Sequence, residues 1–218
     1  MQTTQPNSPE LRRRIVYTAA VLVILFLLLF GRGMLGQWCR SIAARRMSVG
    51  AISDALEWLE WSCWLDPEDG ETDLMKAICF RRLGQKDRWG KAMQSAQDKG
   101  TPDQRIQQES TIALIRSGEA GEEAERRLVA LLDAGVPRQD AVAGFVHGCL
   151  TRDEGERAKR MLDAWTADAP DDAHNAYMWG VYWSHKNETS KAMGAYENAL
   201  TTEPRHGLAR TAHAKLHG

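Results

Sequence analysis

The chain has 218 residues, 43% of them hydrophobic, which is enough for one or two domains with a packed core, so intrinsic disorder is not its default state. Its formal charge of −1 hides an asymmetry: up to Arg46 there are seven Lys/Arg against a single acid, Glu10, whereas the remainder holds 21 basic and 28 acidic residues. An acidic body argues against nucleic acid as a partner, because phosphate binding calls for a basic one.

Residues 1–14 read as a basic N-terminal tail that ends in Arg12, Arg13 and Arg14. Residues 15–31, IVYTAAVLVILFLLLFG, carry no charge and lie between Arg14 and Arg32. As a helix this run would span about 25 Å, near the lower limit for crossing roughly 30 Å of hydrocarbon, with the flanking arginines snorkelling to cover the shortfall. A cleaved signal would need a small-x-small site, and GRGMLGQW is a poor one, so a retained single-pass transmembrane helix is expected. Arginines flank both sides, but the triplet touches the apolar run directly. The expected topology therefore has the tail in the cytoplasm of a bacterial cell and the C-terminal bulk beyond the inner membrane. Residues 32–35 would be a linker.

Beyond this run, prolines stand at Pro67, Pro102, Pro137, Pro170 and Pro204, separated by 35, 35, 33 and 34 residues. Between successive prolines the sequence reads as two amphipathic helical stretches split by a short polar or Gly-containing turn, the pattern of a helix-hairpin repeat. Proline suits these boundaries because it cannot continue one helix and is tolerated at the start of the next.

The unit Ala173 to His206 is the clearest, with Trp179-Gly180, Trp183, Ala192, Tyr196, Ala199 and Pro204. Gly180 and Ala192 would let two helix backbones approach, while Trp183, Tyr196 and Ala199 fill the space around them. This spacing resembles the tetratricopeptide repeat. The unit Gln139 to Asp172 matches through Ala158, Leu162, Trp165 and Pro170, although Phe145 and Val146 replace the leucine-glycine pair of its first helix. Arg105 to Arg138 supplies Ala124, Leu128, Leu131 and Pro137, and Gly70 to Gln104 supplies Ala77, Phe80, Ala92 and Pro102. Gly36 to Asp69 keeps Ala55, Leu59 and Pro67 in its second helix only. Behind the expected transmembrane helix, the resemblance implies an all-α solenoid of about five hairpins over residues 36–206, followed by a capping helix over 207–218 that covers the last apolar face.

In that family the concave groove is lined from the first helix of each hairpin. Those positions fall here on Arg40, Leu74, Arg81, Arg82, Glu109, Arg116, His147, His174, Tyr177 and His185. The set is mildly basic although the body is acidic. Arg81 and Arg116 would pair with carboxylates of an extended peptide and Tyr177 would cover its apolar side chains; ordinary solvated helix positions are the alternative. Families that clamp the acidic C-termini of heat-shock chaperones use a Lys/Asn pattern that is missing here.

Nothing in the sequence calls for catalysis or a cofactor: it holds no Gly-rich phosphate loop, no Gly-x-Ser-x-Gly elbow and no His-Glu-x-x-His. His213 and His217 share a helix face at metal-ligand spacing, or are two solvated residues near a fraying end. Cys39, Cys63, Cys79 and Cys149 lack Cys-x-x-Cys spacing and read as small buried hydrophobes, with disulfide pairing left open. Ala55, Leu59 and Ser62 form the inner face of their helix. Trp58, Trp61 and Leu65 form a second stripe, destined for the core, for the segment Met34 to Trp38, or for a membrane surface. The expected function is a membrane-tethered scaffold that binds a protein or peptide in its groove, not an enzyme. The rival reading is an accessory or chaperone-like subunit of an envelope assembly or secretion machine.

Overall fold

The computed structural model describes residues 9–217, with side chains at 13, 16–18 and 32–216. These residues form eleven α-helices, one short 3₁₀ turn at Gly121–Glu123, and no strand. The helices pair as antiparallel hairpins in chain order. α1 (Pro9–Ser48) packs on α2 (Ile52–Leu65), α3 (Gly70–Arg82) on α4 (Lys86–Asp98), and α5 (Asp103–Arg116) on α6 (Ala124–Asp133). α7 (Arg138–Thr151) pairs with α8 (Gly155–Asp168) and α9 (Ala173–His185) with α10 (Thr189–Thr202), and α11 (Gly207–His217) follows as the last helix.

The boundaries have local causes. Pro102 and Pro137 stand immediately before α5 and α7 with φ of −54° and −53°, the value the pyrrolidine ring imposes, and their carbonyls accept the first helical hydrogen bonds. Asp69 and Asp172 cap α3 and α9: Asp69 Oδ1 accepts from the Glu71 amide at 3.2 Å, and Asp172 Oδ1 from the His174 amide at 2.8 Å. Each such cap contributes about 1 kcal/mol.

Within the last hairpin the sequence reading of close contact holds. Gly180 lies against the Tyr196 ring, where an added Cβ would come within 2.2 Å of Cε1, and Ala192, Tyr196 and Ala199 are buried. In hairpin four the close approach lies elsewhere: Gly148 of α7 meets the backbone of α5, where an added Cβ would stand 2.0 Å from the Ile115 carbonyl oxygen. This contact brings the first helices of hairpins three and four together and sits beside the main core of Phe145, Leu162, Trp165 and Met178.

The N-terminal expectation needs correction. α1 is one helix of 40 residues that does not stop at Gly31, so residues 32–35 are helical and not a linker. Most side chains of 15–31 lie outside the described residues. Among the described residues no helix is long and apolar enough to cross a membrane. On that finding the expected placement in a bacterial inner membrane is corrected; the single-pass span expected at 15–31 lies for the most part outside the described residues. The second half of α1 carries Arg32, Arg40, Arg45 and Arg46, and its Cys39, Ala43 and Met47 are buried against the first hairpin. That half is the first helix of hairpin one, and Ser62 Oγ of α2 donates to the Gly36 carbonyl at 3.0 Å to hold it there.

The solenoid closes on itself. The Leu208 amide of α11 donates to the Gly50 carbonyl in the α1–α2 turn at 3.2 Å, and Leu208 packs against the cluster of Met47, Ile52 and Leu59. The fit is tight: Gly50 has φ +71°, and a Cβ there would touch the His206 ring at 2.9 Å. The last helix thus packs on α10 and meets the first hairpin.

Candidate binding surface

The inner faces of α3, α5, α7 and α9 converge on a buried ionic cluster. Arg81 Nε donates to Glu109 Oε1 at 2.7 Å, and its Nη2 donates to Asp140 Oδ1 at 2.9 Å. Arg82 makes a fork on the same carboxylate, Nε to Oδ1 at 2.9 Å and Nη2 to Oδ2 at 2.7 Å, and its Nη1 donates to the Met47 carbonyl at 2.7 Å. Trp89 Nε1 adds a bond to Glu109 Oε1 at 3.1 Å. Bidentate guanidinium–carboxylate pairs of this kind are strong and directional. Burial pushes the Asp140 carboxyl up, but Arg82 and Arg81 outweigh it and hold it well below the usual carboxylate range. For Arg81, burial works against the charge, and Glu109 and Asp140 more than restore it.

Arg116 differs. It is half-buried, lines the same centre with Arg81 and Asp140, and has no anionic partner among the described residues. Burial and then repulsion from Arg81 lower its pKa to about 10. Three guanidiniums therefore share two carboxylates.

His174 and His206 complete the centre. His206 Nδ1 accepts from the Ala209 amide at 3.1 Å, so its proton sits on Nε2 and points at His174 Nδ1, 3.2 Å away. Burial and nearby positive charge lower His174 to about 3, and burial lowers His206 to about 4. An added proton would break the Ala209 cap at His206 or set two N–H groups face to face. Both folded-state values lie below the unfolded value of 6.5, so the unfolded chain binds more protons, and stability must fall as pH drops from 6.5 towards 3. Unfolding midpoints in urea should decline across that window and level off above it, with Asp140 adding to the loss at the acid end. A flat profile between pH 6.5 and 4 would mean that the two rings are not buried as a neutral pair.

Of the positions expected to line a groove, Arg81, Arg82, Glu109, Arg116, His147, His174 and Tyr177 come together as contacts of one another, and Arg81, Arg82, Glu109 and Arg116 also reach the walls of the hollows beside the cluster. Leu74 is buried in the core of hairpin two. Arg40 pairs with Asp69 at 2.7 Å on the outside of hairpin one, and His185 stands 3.9 Å from Asp153 at the far end of α9. The sequence reading missed Asp140, the anion that serves both arginines, and His206. His213 lies 3.4 Å from Glu197, and among the described residues no group of three His, Cys, Asp or Glu is placed to hold a metal. The four cysteines are free thiols, three of them buried. Trp58 meets Trp38 edge-on at 5.8 Å, in line with packing on the Met34 to Trp38 segment, while Trp61 and Trp64 are exposed.

Two hollows flank the cluster. One, of about 630 Å³, runs across hairpins one to four, with half-buried Met75 and Ile78 beside Gln108 and Gln139. The other, of about 360 Å³, lies between the α3–α4 turn and α5, where Arg116 and Lys86 face Trp89 and Leu114.

Comparison of the backbone with solved structures places this arrangement. A tetratricopeptide repeat protein from Parabacteroides merdae superposes with a TM-score of 0.53 over 95% of this chain and 80% of its own, at 12% identity. The fold is a tetratricopeptide-like solenoid. More distant likenesses are to YrrB, described as a TPR protein with an unusual peptide-binding site (TM-score 0.38, 18% identity, 80% of this chain and 89% of that one), and to pilF of Pseudomonas aeruginosa (0.42, 13% identity, 85% and 90%). No protein-family model and no curated protein matches the sequence.

Proposed function

We propose that this solenoid is a scaffold, not an enzyme, and that it holds an extended segment of a partner protein along the hollow across hairpins one to four. The observation that carries this reading is the character of that hollow: an apolar strip of Met75 and Ile78 beside the amides of Gln108 and Gln139. Apolar side chains of a bound strand would rest on the strip, and glutamine amides can both donate to and accept from its main chain. The ionic cluster beneath fixes α3, α5 and α7 relative to one another, so little ordering remains to be done on binding. Arg116, across the cluster, is the group of the expected set best suited to a partner's carboxylate.

A photo-crosslinking residue at Gln108 of the full chain tests this. Adducts with a protein partner should form there and disappear when Ile78 is replaced by aspartate. If a probe at Val129, exposed on α6, yields the same adducts, the partner binds elsewhere.

A further inference from the structure

Where the two ends of the solenoid meet, a cavity of about 650 Å³ opens between the end of α1, the first turn of α2 and α11. Its volume falls in the range of small-molecule sites, about 300–1,000 Å³. Four basic side chains line it, Arg46, Arg205, Arg210 and Lys215, against one acid, Asp54. Arg82 also reaches its edge but is already paired with Asp140, which it shares with Arg81. None of the four has an ion pair among the described residues, and Arg210 donates only to the Pro204 carbonyl. Several arginines elsewhere are paired, Arg105 with Glu71, Arg138 with Asp168, and Arg157 with Glu125 and Glu154, and those without an ion pair among the described residues, such as Arg45 and Arg160, do not line this cavity.

This concentration of cations reverses the acidic character of the chain beyond Arg46. It also works against the closure, because Arg46 belongs to the first hairpin and Arg205, Arg210 and Lys215 to the last segment, and like charges across a contact repel. An anion seated between them would turn that repulsion into attraction. Four cations and one acid leave an excess that a carboxylate cannot balance and a pyrophosphate can. Ser53 and Thr211 supply hydroxyls at the wall, and Leu83, Leu208 and Tyr177 give an apolar floor for an organic group attached to the phosphates.

We propose that this cavity binds a small molecule carrying a pyrophosphate group and that the ligand clamps the two ends of the solenoid together. The site shares only Arg82 with the peptide hollow, and the proposal does not depend on the scaffold reading.

Inorganic pyrophosphate is the probe, titrated into the full chain with sodium chloride adjusted to constant ionic strength. Thermal unfolding should shift upward saturably, as it does for any ligand that binds only the folded state. Hydrogen exchange at the Leu208 amide should slow at the same time, because that bond closes the ring. The double variant Arg46→Gln/Arg210→Gln should bind about tenfold more weakly or worse, since each substitution removes a charge-assisted contact. Its ligand-free midpoint should stay level or rise as repulsion is relieved, so loss of binding cannot be mistaken for loss of folding. Arg126→Gln, on α6, should behave as the parent. The proposal is overturned if stabilisation follows ionic strength alone, if citrate matches pyrophosphate, or if the double variant retains full affinity.

Discussion

Asp140→Asn should lower the unfolding free energy by about 3–5 kcal/mol, the usual cost of removing one partner from a buried ion pair. The substitution keeps the shape but removes the charge and turns one accepting oxygen into an NH2 donor facing a guanidinium, so packing cannot account for the loss. Asp140 accepts three N–H bonds from two guanidiniums, and both are buried or nearly so. Without its charge, Arg81, Arg82 and Arg116 face Glu109 alone. Urea denaturation of the full chain measures the effect. The excess of positive charge makes a second expectation: Arg116→Met should be neutral or stabilising by itself, because a half-buried cation with no carboxylate partner among the described residues is exchanged for an apolar side chain of similar length. In that background Asp140→Asn should also cost less, a non-additivity typical of residues in one network. A cost under about 1 kcal/mol for Asp140→Asn would place the cluster with solvated surface pairs.

What could be read from the sequence was what depends on short range. The prolines marked the hairpins because a pyrrolidine ring sets φ wherever it stands, and the caps of α3 and α9 are aspartates two residues from the amides they serve. The resemblance to the tetratricopeptide repeat placed Arg81, Glu109, Arg116 and His174 on inner faces. It could not say whether those faces look onto solvent or onto each other. That depends on the closure, a backbone bond between Leu208 and Gly50, and no periodicity reports such a pairing. Asp140 escaped notice for a related reason: it is 59 residues from Arg81, and only superhelical curvature brings the two within 2.9 Å. The continuation of α1 past Gly31 was missed because the apolar run was judged by its own length, whereas the arginine-bearing half beyond it packs on α2 as the first helix of a hairpin.

Gly148→Ala should be the most damaging single-carbon change in the solenoid, and it would act through the same inner helices. An alanine Cβ would lie 2.0 Å from the Ile115 carbonyl oxygen and 3.1 Å from its carbon, both backbone atoms that no rotamer change can move. α5 and α7 would have to part by roughly 1 Å to restore ordinary contact. Overpacking of this kind typically costs about 1–3 kcal/mol and sometimes more. Alanine gains about 1 kcal/mol over glycine in a helix interior, which offsets part of that strain. The parting has a further consequence, because Arg81 spans from Glu109 on α5 to Asp140 on α7 and cannot hold both if the helices separate. We therefore expect a net loss of about 2 kcal/mol or more, at the upper end of the overpacking range. Gly90 on α4 supplies the contrast, since a Cβ there meets nothing within 4 Å. Gly90→Ala should stabilise by about 0.5–1 kcal/mol through helix propensity alone. Urea midpoints of the two variants should thus move in opposite directions from the parent; a shift of the same sign and size for both would show that α5 and α7 do not approach at Gly148.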